Sequence, residues 1–275
     1  MRRLLLALLF AVSCRPTADR PSALPPAHRI VSLAPSSTEL LFALGAGDQV
    51  VGRTTWCRYP PAALDVPDVG DGLNPNIEAI AARQPDLVVL YRSPMNETAA
   101  AQLRRLGIAS VTLPQDRLED IASAARELGR RTGREAAGDS IAGAIEALLG
   151  KAPPPAIARL AFVVWDNPPM VIGAGSYLDQ LATLAGGGNV FHDLGAASAT
   201  VSIETIAARN PDVILVLSES TALPSYSRRP EWRAIRAVRE GRFIMLPADL
   251  FGRPSPTAPA AVAVLRRALE RTARR

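Results

Sequence analysis

Two charged residues near the end of the chain have the types and spacing to hold a small molecule. Asp249 and Arg253 lie four residues apart, and Gly252, Pro254 and Pro256 make a helix improbable there. We therefore expect both side chains on a constrained loop rather than in a helical ion pair. A carboxylate and a guanidinium on one loop suit the polar or amide-bearing edge of a ligand. The competing interpretation is an exported α/β enzyme that uses Asp249 as a base.

A second candidate binding segment is aromatic. Trp56 and Tyr59 follow a predicted strand at 50–51, and Pro60 and Pro61 come directly behind them. Such a loop can stack against a flat or bulky apolar ligand. The alternative is that the Trp56 ring folds back onto its own lobe.

Pro35 also follows a predicted strand, at 28–33, and it precedes the run Ser36-Ser37-Thr38-Glu39. A hydroxyl followed three residues later by a carboxylate is typical of a capping box at a helix start. This turn either only begins a helix or forms a wall of a binding cleft with free backbone N–H groups.

Residues for metal, nucleotide or nucleophilic chemistry are scarce. His28, His192 and Cys57 are not at ligand spacing, so we expect no bound transition metal and two solvated histidines. No Gly-x-Ser-x-Gly elbow is present. Gly173 and Gly175 lack the third glycine of a dinucleotide fingerprint, which favours a tight turn before a helix at 177–185. We therefore expect a binding protein that is not an enzyme and needs no cofactor.

The composition fits a folded body of one or two lobes. The chain has 275 residues, of which 48% are hydrophobic and 21% charged, so global disorder is excluded. The net charge is +5, but part of the arginine excess lies at the two ends and no internal basic stripe is present. We expect no nucleic-acid partner. We also expect a monomer.

The first residues have the pattern of an export signal. Arg2 and Arg3 precede an apolar run at 4–12 that is too short to span a bilayer as a mature helix. The following Ala11-Val12-Ser13-Cys14 resembles a bacterial lipobox, although Ala11 stands where leucine is usual. We expect a signal peptide at 1–13, a lipid on Cys14 and a proline-rich tether at 14–27. An ordinary signal peptide cleaved nearby is the alternative.

An internal repeat predicts two similar lobes. Segment 76–90 matches segment 202–216 at a constant offset of 126 residues. Each copy predicts a short helix, a turn with proline and a strand buried on both faces, as in a parallel sheet covered by helices. Duplication over this distance indicates two α/β lobes and excludes a short-period solenoid.

The lobes are predicted at 28–132 and 157–275, with a connecting helix at 133–156. Strands are expected near 28–33, 50–51, 87–91, 110–113, 160–165, 213–217 and 243–246. Segments 118–131 and 134–149 are rich in helix formers. A helical connector predicts a small change between open and closed forms. Ligands of open α/β sheets bind at the carboxyl ends of strands, so we expect one cleft between the lobes.

Glu78 and Glu204 occupy equivalent positions in the two copies of the repeat. Asn76 and Ser202 are the predicted N-caps, so each glutamate stands at the second helical position and complements the helix dipole. The matched placement also suits two acidic side chains that dock into basic pockets of a membrane partner.

Six motifs, spread over nearly the whole mature chain, carry a family pattern. They are SLAPSSTEL at 32–40, YPP at 59–61, NIE at 76–78, RQPDLV at 83–88, NPP at 167–169 and DLFGRPSP at 249–256. With them the sequence resembles the substrate-binding proteins of ABC importers that have a helical backbone between two lobes. Among these it is most similar to the periplasmic cobalamin (vitamin B12) receptors.

The resemblance implies a fold and a set of roles. The fold is two Rossmann-like α/β lobes joined by a long helical connector, the class III type of periplasmic binding protein, also called the helical backbone metal receptor. Asp249 and Arg253 would reach a corrinoid, while Trp56 packs on the corrin and Pro35 touches it. The two lobe glutamates would meet arginines of the permease. The protein would be exported to the periplasm, anchored by its lipid, and would deliver cargo to an ABC permease–ATPase complex.

The sequence also departs from the best-known cobalamin receptors. Two of their cleft tryptophans are replaced near Gly72 and Ser198, and their second-lobe disulfide is missing. Haem and an iron–siderophore complex therefore stay open as alternative cargoes.

Overall fold

The computed structural model describes residues 26–274, so the predicted signal peptide, Cys14 and most of the predicted tether lie outside the described residues. The N–H of Ala27 donates to the carbonyl of Arg131 at 2.7 Å, and Ala27 is buried, so the folded body has begun by this residue. No helix within residues 26–274 is long and apolar enough to cross a membrane.

The elements fall into two groups along the chain. The strands of the first lobe are β1 (Ile30–Ser32), β2 (Val50–Arg53), β3 (Leu87–Tyr91) and β4 (Ser110–Leu113). Those of the second lobe are β5 (Ala158–Asp166), β6 (Pro169–Ile172), β7 (Gly187–Asn189), β8 (Ser198–Thr200), β9 (Val213–Ser218) and β10 (Phe243–Pro247). The helices are α1 (Pro35–Ala43), α2 (Ile77–Ala81), α3 (Pro94–Arg105), α4 (Leu118–Thr132), α5 (Glu135–Leu149), α6 (Tyr177–Ala185), α7 (Ile203–Arg209), α8 (Arg236–Arg239), α9 (Ala248–Phe251) and α10 (Ala258–Ala273).

Each lobe is built on a parallel sheet with the same strand order. The first sheet runs β2-β1-β3-β4, and the second contains the matching path β7-β5-β9-β10. Alternate residues of β3 and of β9 belong to different apolar clusters, so both strands are covered on both faces. That double coverage is why they are apolar throughout. The predicted two-lobed α/β fold is confirmed.

The second lobe carries an addition that the sequence analysis missed. The far end of β5 pairs with β6 in antiparallel fashion, and β6 pairs with β8. The missed strands β6, β7 and β8 have only three or four residues each, and β7 reads Gly-Gly-Asn. Segments this short carry too little apolar pattern to be recognised as strands.

The repeated segment builds the same helix and turn in both lobes. Asn76 Oδ1 accepts the N–H of Ala79 at 3.0 Å, and Ser202 Oγ accepts the equivalent N–H at 3.2 Å. After each helix the chain turns through a residue with positive φ, Gln84 at 48° and Asn210 at 45°. The matching caps and turns place β3 and β9 identically beside the first strand of each lobe.

An aspartate and an arginine fasten each of these turns. Asp86 accepts the backbone N–H of Arg29, and Asp212 accepts that of Arg159. The Arg29 guanidinium donates to the carbonyl of Arg83, and Arg159 donates to the equivalent carbonyl of the second lobe, each at 2.6 Å. The shared contacts explain why the Pro-Asp motif occurs in both copies.

Two helices form the connection between the lobes. A Cβ on Gly138 of α5 would lie 2.5 Å from the Ala125 carbonyl oxygen of α4, so the close approach of these helices requires glycine. Arg126 of α4 also pairs with Asp139 and Glu146 of α5. The α4–α5 hairpin is therefore a stiff unit.

The lobes are tied together behind the cleft as well. The Leu118 N–H at the start of α4 donates to Gln180 Oε1 of α6 at 2.9 Å, and Arg117 Nη1 donates to the carbonyl of Ala174 at 2.8 Å. One apolar core continues from Leu40 of the first lobe to Leu181 of the second. These contacts fix the base of the cleft.

Candidate functional site

A cavity of about 630 Å³ opens between the lobes, at the carboxyl ends of both sheets. Its lining residues are Pro35, Trp56, Arg58 and Tyr59 of the first lobe and Ser218, Glu219, Thr221, Met245, Pro247, Ala248, Asp249 and Arg253 of the second. The structure thus brings all five predicted ligand-binding residues around one space. The volume lies within the usual range for small-molecule sites.

The aromatic loop of the first lobe is anchored by the residue next to Trp56. Cys57 is fully buried, its Sγ lies 3.1 Å from Thr54 Oγ1, and its N–H donates to the Thr54 carbonyl. Trp56 itself is 60% exposed, so the alternative that it folds back onto its lobe is wrong. The indole face is free to cover apolar ligand surface.

Pro35 begins α1, and the predicted capping box is wrong. The N-cap is Ala34, which has no side-chain oxygen, and the proline ring presets the backbone for the first helical position. The Thr38 hydroxyl donates instead to the carbonyl of Ala34 at 3.1 Å. The Glu39 carboxylate does not reach back to the helix start, because it is engaged by the second lobe.

The second wall contains a short helix that was not expected. Asp249 lies in the single turn α9, so the expectation of a loop is wrong for this residue. The turn ends at Gly252, and Pro254 stops further helix. Arg253 lies on the loop beyond, as predicted. One helical turn therefore suffices to place both side chains at the same cavity.

Arg253 is held by partners from the first lobe. Its Nε donates to Glu39 Oε2 at 2.5 Å, and its Cζ lies 4.7 Å from the centre of the Tyr59 ring. Ser255 donates to the other oxygen, Glu39 Oε1, at 2.6 Å. Sequence reasoning missed Glu39 as part of the site because its place in the motif fitted a helix cap.

Burial raises the pKa of Glu39, and this outweighs the opposing effects of the Ser255 hydrogen bond and of Arg253. Its side chain is only 3% exposed, against 13% for that of Arg253. An ion pair this deep is favourable only when hydrogen bonds satisfy its atoms, which both oxygens of Glu39 achieve.

A second space of about 280 Å³ adjoins the first lobe's wall and shares Pro35 and Trp56 with it. Gly72 lines it, and a Cβ there would lie 2.2 Å from the Leu33 carbonyl oxygen. The backbone therefore excludes a larger residue at Gly72, which accounts for the missing bulky side chain at this place. Ser198, the other replaced position, is exposed on the edge strand β8.

Tyr91 lines the same smaller space. Its hydroxyl donates to Asp116 Oδ1 at 2.8 Å, and burial together with that carboxylate raises the pKa of Tyr91 to about 12. The phenol therefore stays protonated at neutral pH and acts as a hydrogen-bonding group only.

Comparison with known proteins agrees with this architecture. A sequence profile described as periplasmic binding protein matches residues 30–250. The chain belongs to that family. Its members that resemble it are substrate-binding proteins, so the expectation of a binding protein is confirmed and the exported-enzyme alternative is wrong.

Two curated relatives of this periplasmic binding protein are vitamin B12-binding proteins. The one from Vibrio cholerae is 29% identical over 236 residues, and the one from Salmonella typhimurium is 31% identical over 234 residues. Each match covers 84% of this chain and 85% of the relative.

Solved structures extend the comparison. The periplasmic vitamin B12-binding protein BtuF of Vibrio cholerae matches with a TM-score of 0.75 and 28% identity, covering 91% of this chain and 99% of that one. The periplasmic heme-binding protein RhuT from Roseiflexus sp. RS-1 matches with a TM-score of 0.76 and 27% identity. This match covers 90% of this chain and 99% of that one. The two scores are nearly equal, so structural likeness alone does not choose between their ligands.

In this periplasmic binding protein Glu78 and Glu204 are both exposed, each at the second position of its helix. Each glutamate follows the N-cap residue of its helix by two positions, so its carboxylate lies by the positive end of that helix. A backbone N–H and the Ser202 hydroxyl lower the pKa of Glu204. The structure therefore places one exposed acidic side chain on each lobe, at matching helix positions.

The remaining sequence candidates lie away from the cavity. His28 is at the start of β1, and His192 is an exposed ring whose Nδ1 lies 2.8 Å from Asp179 Oδ2. A Cβ on Gly173 would lie 2.5 Å from the Ala196 carbonyl oxygen, so close backbone packing explains this glycine. Among residues 26–274, no group of three or more histidine, cysteine or acidic side chains is arranged to hold a metal ion.

Proposed function

We propose that the protein captures cobalamin or a related corrinoid in the cleft between its lobes and delivers it to an ABC permease–ATPase complex. The observation that carries this proposal is the contrast between the two walls of the 630 Å³ cavity. The first lobe offers the rings of Pro35, Trp56 and Tyr59 with one guanidinium, that of Arg58. The second offers carboxylate, hydroxyl and guanidinium groups beside three apolar residues, Met245, Pro247 and Ala248. A corrinoid matches this contrast because it has a broad apolar face and a rim of neutral amides.

The charge of the lining supports a neutral cargo. The carboxylates of Glu219 and Asp249 balance the guanidinium groups of Arg58 and Arg253, and Arg253 is already paired with Glu39. Amides both donate and accept hydrogen bonds, so they use both signs of charge. Haem carries two propionates, which the two carboxylates would repel and the two guanidinium groups would attract, so a lining without net charge gives an anionic cargo no net attraction.

Metal coordination also bears on the cargo. The described histidines lie outside the cavity lining, and Cys57 is buried beneath the aromatic loop. A corrinoid with its own axial ligands needs no protein ligand. Haem is the second candidate, because the Tyr59 phenol lines the cavity and a tyrosine can ligate haem iron.

Calorimetric titration with cyanocobalamin, and absorbance titration with haemin, test the cargo directly. We expect saturable binding of cyanocobalamin to the folded protein. In Asp249→Asn the affinity for cyanocobalamin should fall about threefold to tenfold, because a charged hydrogen-bond acceptor becomes a neutral one.

The same substitution should leave haemin binding unchanged or tighter, because it removes a negative charge from the wall. Binding of haemin without binding of cyanocobalamin would reject the corrinoid and favour the second candidate. Co-purification of an iron–siderophore complex would point to the third cargo.

We also propose that Cys14 carries the lipid that holds the protein at the membrane, with segment 14–27 as the tether. The support is the lipobox-like Ala11-Val12-Ser13-Cys14 after the apolar run. Cys14→Ala should move the protein from the membrane fraction to the released fraction. A protein that is released equally with and without Cys14 would have an ordinary cleaved signal peptide.

A further inference from the structure

Glu39 is a buried carboxylate that has its side-chain partners on the opposite lobe. It lies on α1 of the first lobe, yet Oε2 accepts from Arg253 at 2.5 Å and Oε1 accepts from Ser255 at 2.6 Å. Both partners come from the segment before α10 of the second lobe. A carboxylate with this arrangement contributes to how the lobes meet at the cavity rather than to the fold of its own lobe.

Arg253 is confined on two sides by the first lobe. Its Nε is committed to Glu39, and its guanidinium lies over the Tyr59 ring with Cζ 4.7 Å from the ring centre. Its Nη2 is buried and has no acceptor among the described residues. Its Nη1 makes no hydrogen bond to the described residues either, and Arg253 lines the cavity, so the guanidinium has an N–H group left to donate to a carbonyl oxygen supplied by a ligand.

Ser255 fixes the position of Glu39 relative to the second lobe. Besides donating to Glu39, its Oγ accepts the N–H of Thr257 at 3.0 Å and lies 2.7 Å from Thr257 Oγ1. Thr257 is the N-cap residue of α10. The Glu39 carboxylate is therefore held in place by the start of α10, through Ser255, as well as by the longer Arg253 side chain.

A second buried carboxylate shows the contrast. Asp179 lies on α6, the helix of the second lobe whose sequence weakly echoes α1, and it is 2% exposed. Its partners, Asn189 and His192, both belong to its own lobe. The two carboxylates are equally deep, but only Glu39 reaches across the cleft to a residue that lines the cavity.

We propose that Glu39 is a positioning residue that holds the Arg253 guanidinium against Tyr59, so that its free N–H group can reach the ligand. Glu39 therefore affects the affinity for cargo only through Arg253. This inference rests on the proposed capture of a cargo in this cleft. It adds a role for a residue that does not line the cavity.

A double-mutant cycle tests the coupling. Cyanocobalamin is titrated into the wild-type protein, Glu39→Gln, Arg253→Ala and the double variant. Glu39→Gln should weaken binding about tenfold, the usual effect of losing a hydrogen bond to a charged group. In the Arg253→Ala background the same substitution should change the affinity less than about twofold. Equal losses in both backgrounds would overturn the proposal.

Two further variants separate positioning from loss of structure. Ser255→Ala keeps the Glu39–Arg253 pair and removes one contact to the carboxylate, so we expect a weaker loss of about threefold. Asp179→Asn is the matched control for a buried carboxylate, and it should lower thermal stability while the affinity stays unchanged. A loss of affinity in Asp179→Asn as large as in Glu39→Gln would assign Glu39 a merely structural role.

A readout without cargo keeps this inference distinct from the choice of ligand. In ¹⁵N NMR spectra of the unliganded protein, the Arg253 Nε–H should be protected from exchange in the wild type and in Asp179→Asn. Protection should be lost in Glu39→Gln. An unprotected signal in the wild type would overturn the positioning role even if cyanocobalamin binds. If the Arg253 Nε–H is protected but cyanocobalamin does not bind, the corrinoid is rejected as cargo while the positioning role of Glu39 stays supported. The double-mutant cycle would then be measured with haemin.

Discussion

The two lobes share a scaffold but present different surfaces to the cavity. Both have a four-stranded parallel path and the same aspartate and arginine contacts at the turn before β3 or β9. The first wall nevertheless presents three rings, those of Pro35, Trp56 and Tyr59, beside Arg58, whereas most of the polar lining, Asp249 included, comes from the second. The duplicated segments thus specify the frame, and the binding surface comes from residues outside them.

The two walls meet at one point. Arg253 of the second lobe lies over Tyr59 of the first and pairs with Glu39. The α4–α5 hairpin and the hydrogen bonds at Gln180 hold the base of the cleft. We therefore keep the prediction of a small change on closure, for which scattering profiles with and without cargo should be closely similar.

The largest effect should come from the exposed glutamate that each lobe carries at the matching helix position. We propose that both glutamates pair with basic residues of the permease, so Glu78→Ala combined with Glu204→Ala should lower cargo uptake by cells more than about thirtyfold. Cargo affinity of the purified protein should not change. Each single variant should lower uptake by a similar, smaller factor, because the lobes are equivalent.

Glu135→Ala provides the control for that experiment. Glu135 is also an exposed glutamate in the first turn of a helix, but it lies outside both copies of the repeat. Uptake by this variant should be normal. Normal uptake by the double variant would remove the docking role of Glu78 and Glu204.

The next effect separates the apolar wall from the polar one. Trp56→Ala should weaken both cyanocobalamin and haemin binding about tenfold, because stacking on an indole serves any flat cargo. Asp249→Asn, in contrast, should distinguish the two ligands. Leu106→Ala, at an exposed apolar residue just beyond α3, is the control and should bind both normally. If Trp56→Ala changes neither affinity, the first lobe does not supply a stacking wall.

Acidification should weaken cargo binding through the contact between the walls. Because burial raises the pKa of Glu39, this carboxyl gains a proton at a pH above the ordinary glutamate value of 4.5. The negative charge facing Arg253 is then lost, so affinity should fall as the pH drops through the raised pKa. Titrations at decreasing pH should show this fall in the wild type but not in Glu39→Gln; identical profiles would contradict it.

The same shift has a defined sign for stability. The folded protein holds the Glu39 proton more tightly than the unfolded chain does. The contribution of this group to the free energy of unfolding therefore decreases as the pH rises from the ordinary glutamate pKa to the raised one.

The smallest effect compares the two turns of the repeat. Gln84 and Asn210 both have positive φ, which strains most side chains but is tolerated by asparagine. Gln84→Gly should raise the free energy of unfolding by about 0.5–1 kcal/mol, and Asn210→Gly should change it by less. Denaturant unfolding measures both values. A larger gain at Asn210 than at Gln84 would contradict the lower strain expected of asparagine at positive φ.

The sequence predicted the elements that belong to the repeat and the elements with a sustained apolar pattern. β3, β4 and α6 were predicted to the residue, because a buried strand or an amphipathic helix leaves a sustained apolar pattern. The strands β6, β7 and β8 were missed because pairing partners, rather than their own residues, define them.

The site residues that lie in recognisable motifs could be predicted from the sequence. Those that join the site through tertiary contacts could not. Trp56, Asp249 and Arg253 followed from residue type and from their position after strands. Glu39 did not, because its partner Arg253 lies 214 residues away along the chain. The local spacing favoured a helix cap for Glu39, but in the structure its carboxylate forms a long-range ion pair instead.

The most direct test of the two-wall account is a crystal structure of the protein with cyanocobalamin. The account predicts the corrin face against Trp56 and Tyr59, with its side-chain amides hydrogen-bonded to Asp249 and Arg253 and Arg253 still paired with Glu39. A ligand bound outside the cleft, or one whose amide rim faces Trp56 while its apolar face lies on Asp249, would contradict it.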